Sequence, residues 1–275
     1  MWSVRQSLRQ AVRQLVRSCG FDIVKCSRPN DSESGDEDPR VFESGSKSFV
    51  RLLSLHGVDL IFDIGANVGY YARDLFAAGY TGRVVSVEPT SAAYIELRKA
   101  SQTNHLWEVA ERCAIGEAEG ETEINISENS EASSVLTILD ECVRAAPQAA
   151  YVGKERVAVH TVDWLMSSYL RDAQAPFLKV DVQGFEHQVL LGARESLPRI
   201  KGIEMELSLT PLYLGQMLYR EMIDYLAMRG FELYALLPGF TDPRNGKLLQ
   251  ADGVFFRNPD LAKNAGVGIQ EFGKC

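Results

Sequence analysis

Asp63-Ile64-Gly65-Ala66-Asn67-Val68-Gly69 is the segment of this chain whose residue types and spacing are best suited to chemistry. An apolar run, Leu60 to Ile64, carries one acid, Asp63, and then breaks into small residues. That pattern predicts a buried strand feeding a turn tight enough to need glycine. A second apolar run from Arg83 ends in Glu88-Pro89, one half of a βαβ unit later. A glycine turn after one strand and an acid at the tip of the next form a nucleoside-binding constellation. The turn exposes backbone N–H groups, and the acid accepts hydrogen bonds from ribose hydroxyls. Gly65 and Gly69 stand four apart rather than in G-x-G-x-x-G spacing, which argues against a pyrophosphate cradle and against NAD or FAD. Further on, Asp181, Glu206 and His160 end or nearly end apolar runs. Carboxylates and imidazoles so placed can take a proton from a hydroxyl, which makes these three the candidate acid–base residues. Each has an ordinary reading too: Asp181 as a helix cap, Glu206 or its strand neighbour Glu204 as packing support, His160 as a solvent-facing ring.

The elements that must position these residues follow from hydrophobic period. Strands are expected at Asp59–Ile64, Arg83–Glu88, Trp107–Cys113, Phe177–Asp181, Gly202–Leu207, Phe231–Leu237 and Gly253–Arg257. Helices are expected at Ser44–His56, Tyr70–Ala78, Ala92–Ser101, Glu186–Leu191 and Arg220–Arg229, with a short one beginning at Thr161. Glu121–Ile126 and Arg156–His160 alternate apolar and polar residues and predict an added antiparallel pair. Strand–helix alternation predicts an α/β domain with a mostly parallel sheet covered on both faces. Ligands of such sheets bind beyond the carboxyl ends of the strands, where Asp63, Glu88, Asp181 and Glu206 all fall.

Asp63 to Gly69 followed by Glu88-Pro89 resembles motif I and the acidic loop of class I S-adenosylmethionine (SAM) methyltransferases. Phe177-Leu178-Lys179-Val180-Asp181-Val182-Gln183-Gly184-Phe185-Glu186, Val189 to Ala193, and Gly202 to Leu209 resemble the signature of the FkbM-type methyltransferases. The resemblance covers roughly residues 50 to 258. Many members carry Glu where Gln183 stands and Gln is also a familiar variant; if a carboxylate there mattered for chemistry, this chain would lack it. The resemblance implies a class I methyltransferase Rossmann-like three-layer sandwich over residues 44–260, with a mostly parallel seven-stranded sheet and an added β-hairpin. It implies SAM as cofactor, held by Gly65, Ala66, Asn67 and Gly69, with Glu88 on the ribose hydroxyls. Asp63 would fix the loop or meet the methionine ammonium of SAM. Ala114, with Cys113 and Ile115, would border the adenine or simply pack a strand end. Asp181 would bind SAM or act as base, with Glu206 and His160 behind it. Family members are described as O-methylating hydroxyls of sugars, glycolipids and polyketides, so a small-molecule or lipid-linked saccharide acceptor is expected. A polyketide acceptor and a catalytically silent SAM-binding protein are the rivals. No His/Asp cluster has clear metal spacing, and a metal-independent enzyme is expected.

Composition sets outer bounds. A chain of 275 residues suits one domain with extensions, and a formal charge of −8 argues against a broad nucleic-acid surface. Five scattered cysteines without metal-ligand spacing suggest reduced thiols in a cytoplasmic protein. No apolar run approaches the roughly 20 residues that span a bilayer. Residues 1–26 carry Arg5, Arg9, Arg13 and Arg17 beside an apolar stripe, a basic amphipathic helix that would adsorb to an anionic membrane or dock on protein. Residues 27–43 read as a flexible acidic linker and 261–275 as a tail.

Overall fold

The computed structural model describes residues 46–258 and Leu261. The expectations for residues 1–26, residues 27–43 and the tail beyond Leu261 lie outside the described residues. Element order is α1 (Ser46–Leu55), β1 (Leu60–Ile64), α2 (Tyr70–Ala77), β2 (Arg83–Val87), α3 (Ser91–Ser101), β3 (Trp107–Val109), β4 (Cys113–Ile115), β5 (Gly120–Ser127), α4 (Asp140–Ala145), β6 (Tyr151–His160), α5 (Val162–Tyr169), β7 (Pro176–Val180), α6 (Glu186–Leu191), β8 (Gly202–Ser208), α7 (Tyr219–Ala227), β9 (Phe231–Pro238) and β10 (Gln250–Arg257).

Seven strands form one sheet in the order β3-β2-β1-β7-β8-β10-β9. β10 runs antiparallel to both its neighbours, while the pairings from β3 to β8 are parallel. This is the α/β sandwich expected from the sequence. Alternation along each strand divides two cores. Leu60, Phe62, Ile64, Leu178, Val180 and Met205 face α5, α6 and α7. Ile61, Val84, Phe177, Val254 and Phe256 face α1, α2 and α3.

The second face turns polar toward the carboxyl ends of the strands. Ser86, Asp63, Lys179 and Glu204 are successive register partners across β2, β1, β7 and β8. Glu206 then pairs with Asp252 of β10. Period-2 alternation lays these side chains along one face, directly beyond the apolar layer. The strands that build the core therefore also aim a charged row at the rim.

One strand departs from expectation. The run Trp107–Cys113 is two strands, because the main sheet ends where the Ala110 amide donates to the Ser86 carbonyl at 3.0 Å. Arg112 then turns outward to the Pro89 carbonyl and to Glu155. Cys113–Ile115 joins a second sheet of order β4-β6-β5, so the expected hairpin gains a parallel third strand. The chain between β5 and β6 reaches the turn after β1, where Asn67 Nδ2 donates to the Ser130 hydroxyl at 3.0 Å. Among the described residues, no helix is long and apolar enough to cross a membrane.

Candidate active site

A cavity of about 400 Å³ opens beyond the carboxyl ends of β1, β7 and β8. Its cofactor-sized half is built on the turn after β1. The Gly65 and Ala66 amides donate to the Val87 carbonyl at 3.0 Å, tying the turn to β2. Gly65 has φ +82°, and a Cβ there would stand 1.8 Å from the Asp181 carbonyl oxygen. Asn67 also adopts the left-handed region, and its side-chain oxygen accepts from the Val68 amide at 2.7 Å. Asparagine tolerates this backbone because its short amide bonds locally.

Glu88, 4 % exposed, lines the same cavity. Its carboxylate accepts from the Asn67 amide at 2.9 Å, the Thr90 amide at 2.8 Å and the Thr90 hydroxyl at 2.6 Å. Burial raises its pKa and these bonds oppose the rise. The acid is thus fixed at the tip of β2, with the turn and the acid locked to one another. Ala114, Cys113 and Ile115 complete this wall.

At the other end of the cavity lie Lys179, Asp181, Gln183, Glu204, Glu206 and Asp252. Lys179 Nζ lies 3.4 Å from both Asp63 Oδ1 and Asp181 Oδ2. These two carboxylates and Glu204 hold the lysine charged despite burial. Glu204 accepts from the Tyr71 hydroxyl at 2.5 Å, and burial pushes its pKa up to about 7. Asp181 Oδ1 and Glu206 Oε2 accept from one amide, Gln183 Nε2, at 2.8 and 2.9 Å. Burial, then the charges of Asp181, Glu186 and Asp252, push Glu206 well above the usual carboxylate range.

Three expected residues stand elsewhere. Asp63 is fully buried below the cavity, accepting from the Ser86 hydroxyl at 2.9 Å. It also holds Lys179, whose Nζ lies 3.4 Å from Asp63 Oδ1 and from the Gly65 carbonyl, which links the acid to the turn. Gly69 does not line the cavity; at φ +86° it lets Trp107 and Leu97 pack against the start of α2, where a Cβ would meet the Trp107 ring at 2.6 Å. His160 is also outside, its Nδ1 2.5 Å from Glu119 and its ring stacked 4.0 Å from Trp164. The carboxyl end of β6 belongs to the small sheet, so a strand-end histidine there faces away from the main rim.

The model of the Methyltransferase FkbM domain matches residues 63–233. The chain belongs to the FkbM methyltransferase family. The match starts at Asp63 and takes in both ends of the cavity. No curated protein matches the chain. Among solved structures, an FkbM methyltransferase from Methylobacillus flagellatus KT is 16% identical, over 71% of this chain and 43% of that one, with TM-score 0.43. The magnesium protoporphyrin IX methyltransferase of Synechocystis PCC 6803, solved with bound SAM, is 10% identical over 94% and 85% of the two chains, with TM-score 0.42. TehB from Haemophilus influenzae is 10% identical over 76% and 61%, with TM-score 0.41.

As an FkbM methyltransferase the protein uses SAM, and the residues present fit it. The glycine cradle closes if a Cβ is added at Gly65, and a buried acid at the tip of β2 suits ribose hydroxyls. Gly65, Ala66, Asn67 and Glu88 would hold the nucleoside, with Ala114 beside the base. Among the described residues no group of three His, Cys, Asp or Glu side chains is placed to hold a metal.

The buried acids carry a pH signature. Glu204 and Glu186 have folded pKa values near 7, raised chiefly by burial from an ordinary 4.5. The native state therefore binds more protons than the unfolded chain between these values, and stability falls as pH rises through them. Each group costs up to about 3 kcal/mol above pH 7. Thermal unfolding without SAM should show a higher Tm near pH 5.5 than near pH 8, and Glu204→Gln should flatten that slope.

Lys179, Asp252, Tyr71 and Tyr213 escaped sequence reasoning. Their signal was a polar side chain at alternate positions of an otherwise apolar strand for Lys179 and Asp252. The two tyrosines come from a helix and a loop and leave no such signal.

Proposed function

We propose that this methyltransferase methylates a hydroxyl oxygen of a saccharide carried on a polysaccharide, glycolipid or other glycoconjugate. The observation that carries the reading is the carboxylate pair Asp181 and Glu206, bridged by Gln183 at the end of the cavity away from Glu88. Carboxylates accept hydrogen bonds from neighbouring hydroxyls, and the preponderance of acid there disfavours a carboxylate or phosphate at the reacting end of the acceptor.

SAM supplies an electrophilic methyl on sulfonium, so the protein must chiefly align an oxygen with it. Asp181, 38 % exposed at its side chain, accepts the hydroxyl proton as the oxygen attacks. Burial and the neighbouring acids raise the Glu206 pKa, which favours a carboxyl able to donate a hydrogen bond to a second acceptor oxygen. Lys179 compensates the charge of Asp181 and Asp63 from beneath. The chain between β5 and β6, through Ser130 to Val135, lines the cavity and limits water.

The arginine-rich residues 1–26 support a lipid-linked acceptor met at the cytoplasmic face of a membrane. Glycans of cells with and without the protein, compared by mass spectrometry, should differ by one methyl group per modified sugar. An unchanged glycan pool, with labelled methyl appearing in a polyketide or in nothing, would remove the saccharide reading. Deleting residues 1–26 should abolish transfer in membranes and spare it on a soluble sugar fragment.

A further inference from the structure

Gln183 occupies a position that packing alone does not explain. It is a non-glycine residue at φ +55°, a conformation that costs energy and persists only where the surroundings fix it. Three contacts fix it. The Ser134 hydroxyl donates to its carbonyl at 2.7 Å, the Tyr213 hydroxyl donates to its Oε1 at 2.8 Å, and Gly184 packs so closely on Tyr213 that a Cβ would meet it at 2.9 Å. The amide orientation follows from its neighbours: the Tyr213 hydroxyl donates to Oε1, so the nitrogen faces Asp181 and Glu206. Its two N–H groups then serve one carboxylate each. Gln250 Nε2 donates to the same Glu206 oxygen at 2.5 Å.

We propose that Gln183 is a positioning residue that clamps the Asp181 and Glu206 carboxylates as an unequal pair, Asp181 on the Lys179 side and Glu206 among neighbouring acids. This rests on the reading of Asp181 as the base. Two carboxylates held this close repel when both are ionised, which drives their titrations apart, while the amide N–H groups favour the charged form of each. The neighbours break the tie. Lys179 on β7 meets Asp181 Oδ2 at 3.4 Å, whereas Glu206 faces Asp252 on β10, Glu186 on α6 and the Cys142 thiol on α4. Glu204 of β8 and Asp63 of β1 act on the pair through Lys179. A neutral amide bridges the carboxylates without adding a third charge; a glutamate there would add one.

The test is a ¹³C NMR titration of side-chain carboxyl carbons in the full chain, wild type against Gln183→Leu, Gln183→Glu and Tyr213→Phe. In Gln183→Leu the Asp181 midpoint should rise by about one pH unit as it loses a donor, and Gln183→Glu should move the pair further. Tyr213→Phe, which frees the far end of the amide, should shift Asp181 in the same direction by less. Midpoints unchanged in a Gln183→Leu protein of normal melting behaviour would overturn the clamp. Should that variant not fold, an unmoved Asp181 in Tyr213→Phe would overturn it equally. The base reading fails separately: full methyl transfer by Asp181→Asn would remove it while leaving a moved titration, and so the clamp, intact.

Discussion

Asp181→Asn should lower methyl transfer by about 10²–10⁴-fold, the range expected for loss of a positioned general base. SAM affinity should change by only a few-fold, because the cofactor wall around Gly65 and Glu88 does not depend on this carboxylate's charge. The substitution preserves shape and an acceptor oxygen for Gln183 Nε2. It sets an amide where Lys179 Nζ found a carboxylate oxygen at 3.4 Å, so local repulsion adds to the loss of the base. Lys179 keeps Asp63 as partner, and the fold should survive. Glu206→Gln should be milder, since burial and neighbouring acids already favour the protonated form of Glu206 and a glutamine amide can still donate. The measurement is transfer of labelled methyl from SAM to glycans taken from cells lacking the protein, with SAM binding followed by calorimetry. Equal losses in affinity and transfer would mean that Asp181 binds the cofactor and does not act on the acceptor.

The cofactor half of the site was legible in the sequence because its parts are local. Leu60 to Ile64 with one acid, then glycine, then Glu88 one half-unit later, are all within 30 residues and follow strand period. The other half was half-legible. Asp181 and Glu206 were visible as strand-end acids, but Lys179 shows its meaning only when register sets it between Asp63 and Glu204 on flanking strands. Sheet order decides that, and single-strand alternation cannot give it. The same limit explains His160, which ends a strand as expected, in the wrong sheet. Gly69 looked like a cofactor glycine because it follows Gly65 at short spacing; its positive φ instead lets Trp107, nearly 40 residues on, pack close. Gln183 stood out only as a variant at a position where many members carry Glu, since its partner Tyr213 lies in an irregular segment.

Gly65→Ala should be the most damaging single-methyl change in the domain. Its φ of +82° already disfavours any L side chain, at about 1–2 kcal/mol. The added Cβ would also fall 1.8 Å from the Asp181 carbonyl oxygen, inside any real contact distance. That oxygen cannot retreat cheaply, because the Asp181 amide donates to the Ile64 carbonyl at 3.0 Å and so pins the end of β7 to the end of β1. Relief requires parting the two strands or swinging the turn off the Val87 carbonyl, and either movement opens the cofactor wall. Overpacking adds about 1–3 kcal/mol, for a total near 2–5 kcal/mol. SAM affinity should fall at least about 100-fold, equivalent to about 2.7 kcal/mol. Gly57→Ala separates the two causes: φ there is +66°, yet nothing lies within 4 Å of the new Cβ. That variant should lose about 1 kcal/mol and bind SAM normally. Calorimetric SAM titration and thermal melts of both proteins decide it. Comparable damage from the two would mean that backbone strain alone matters, and that close approach of the turn to β7 is not what shapes the site.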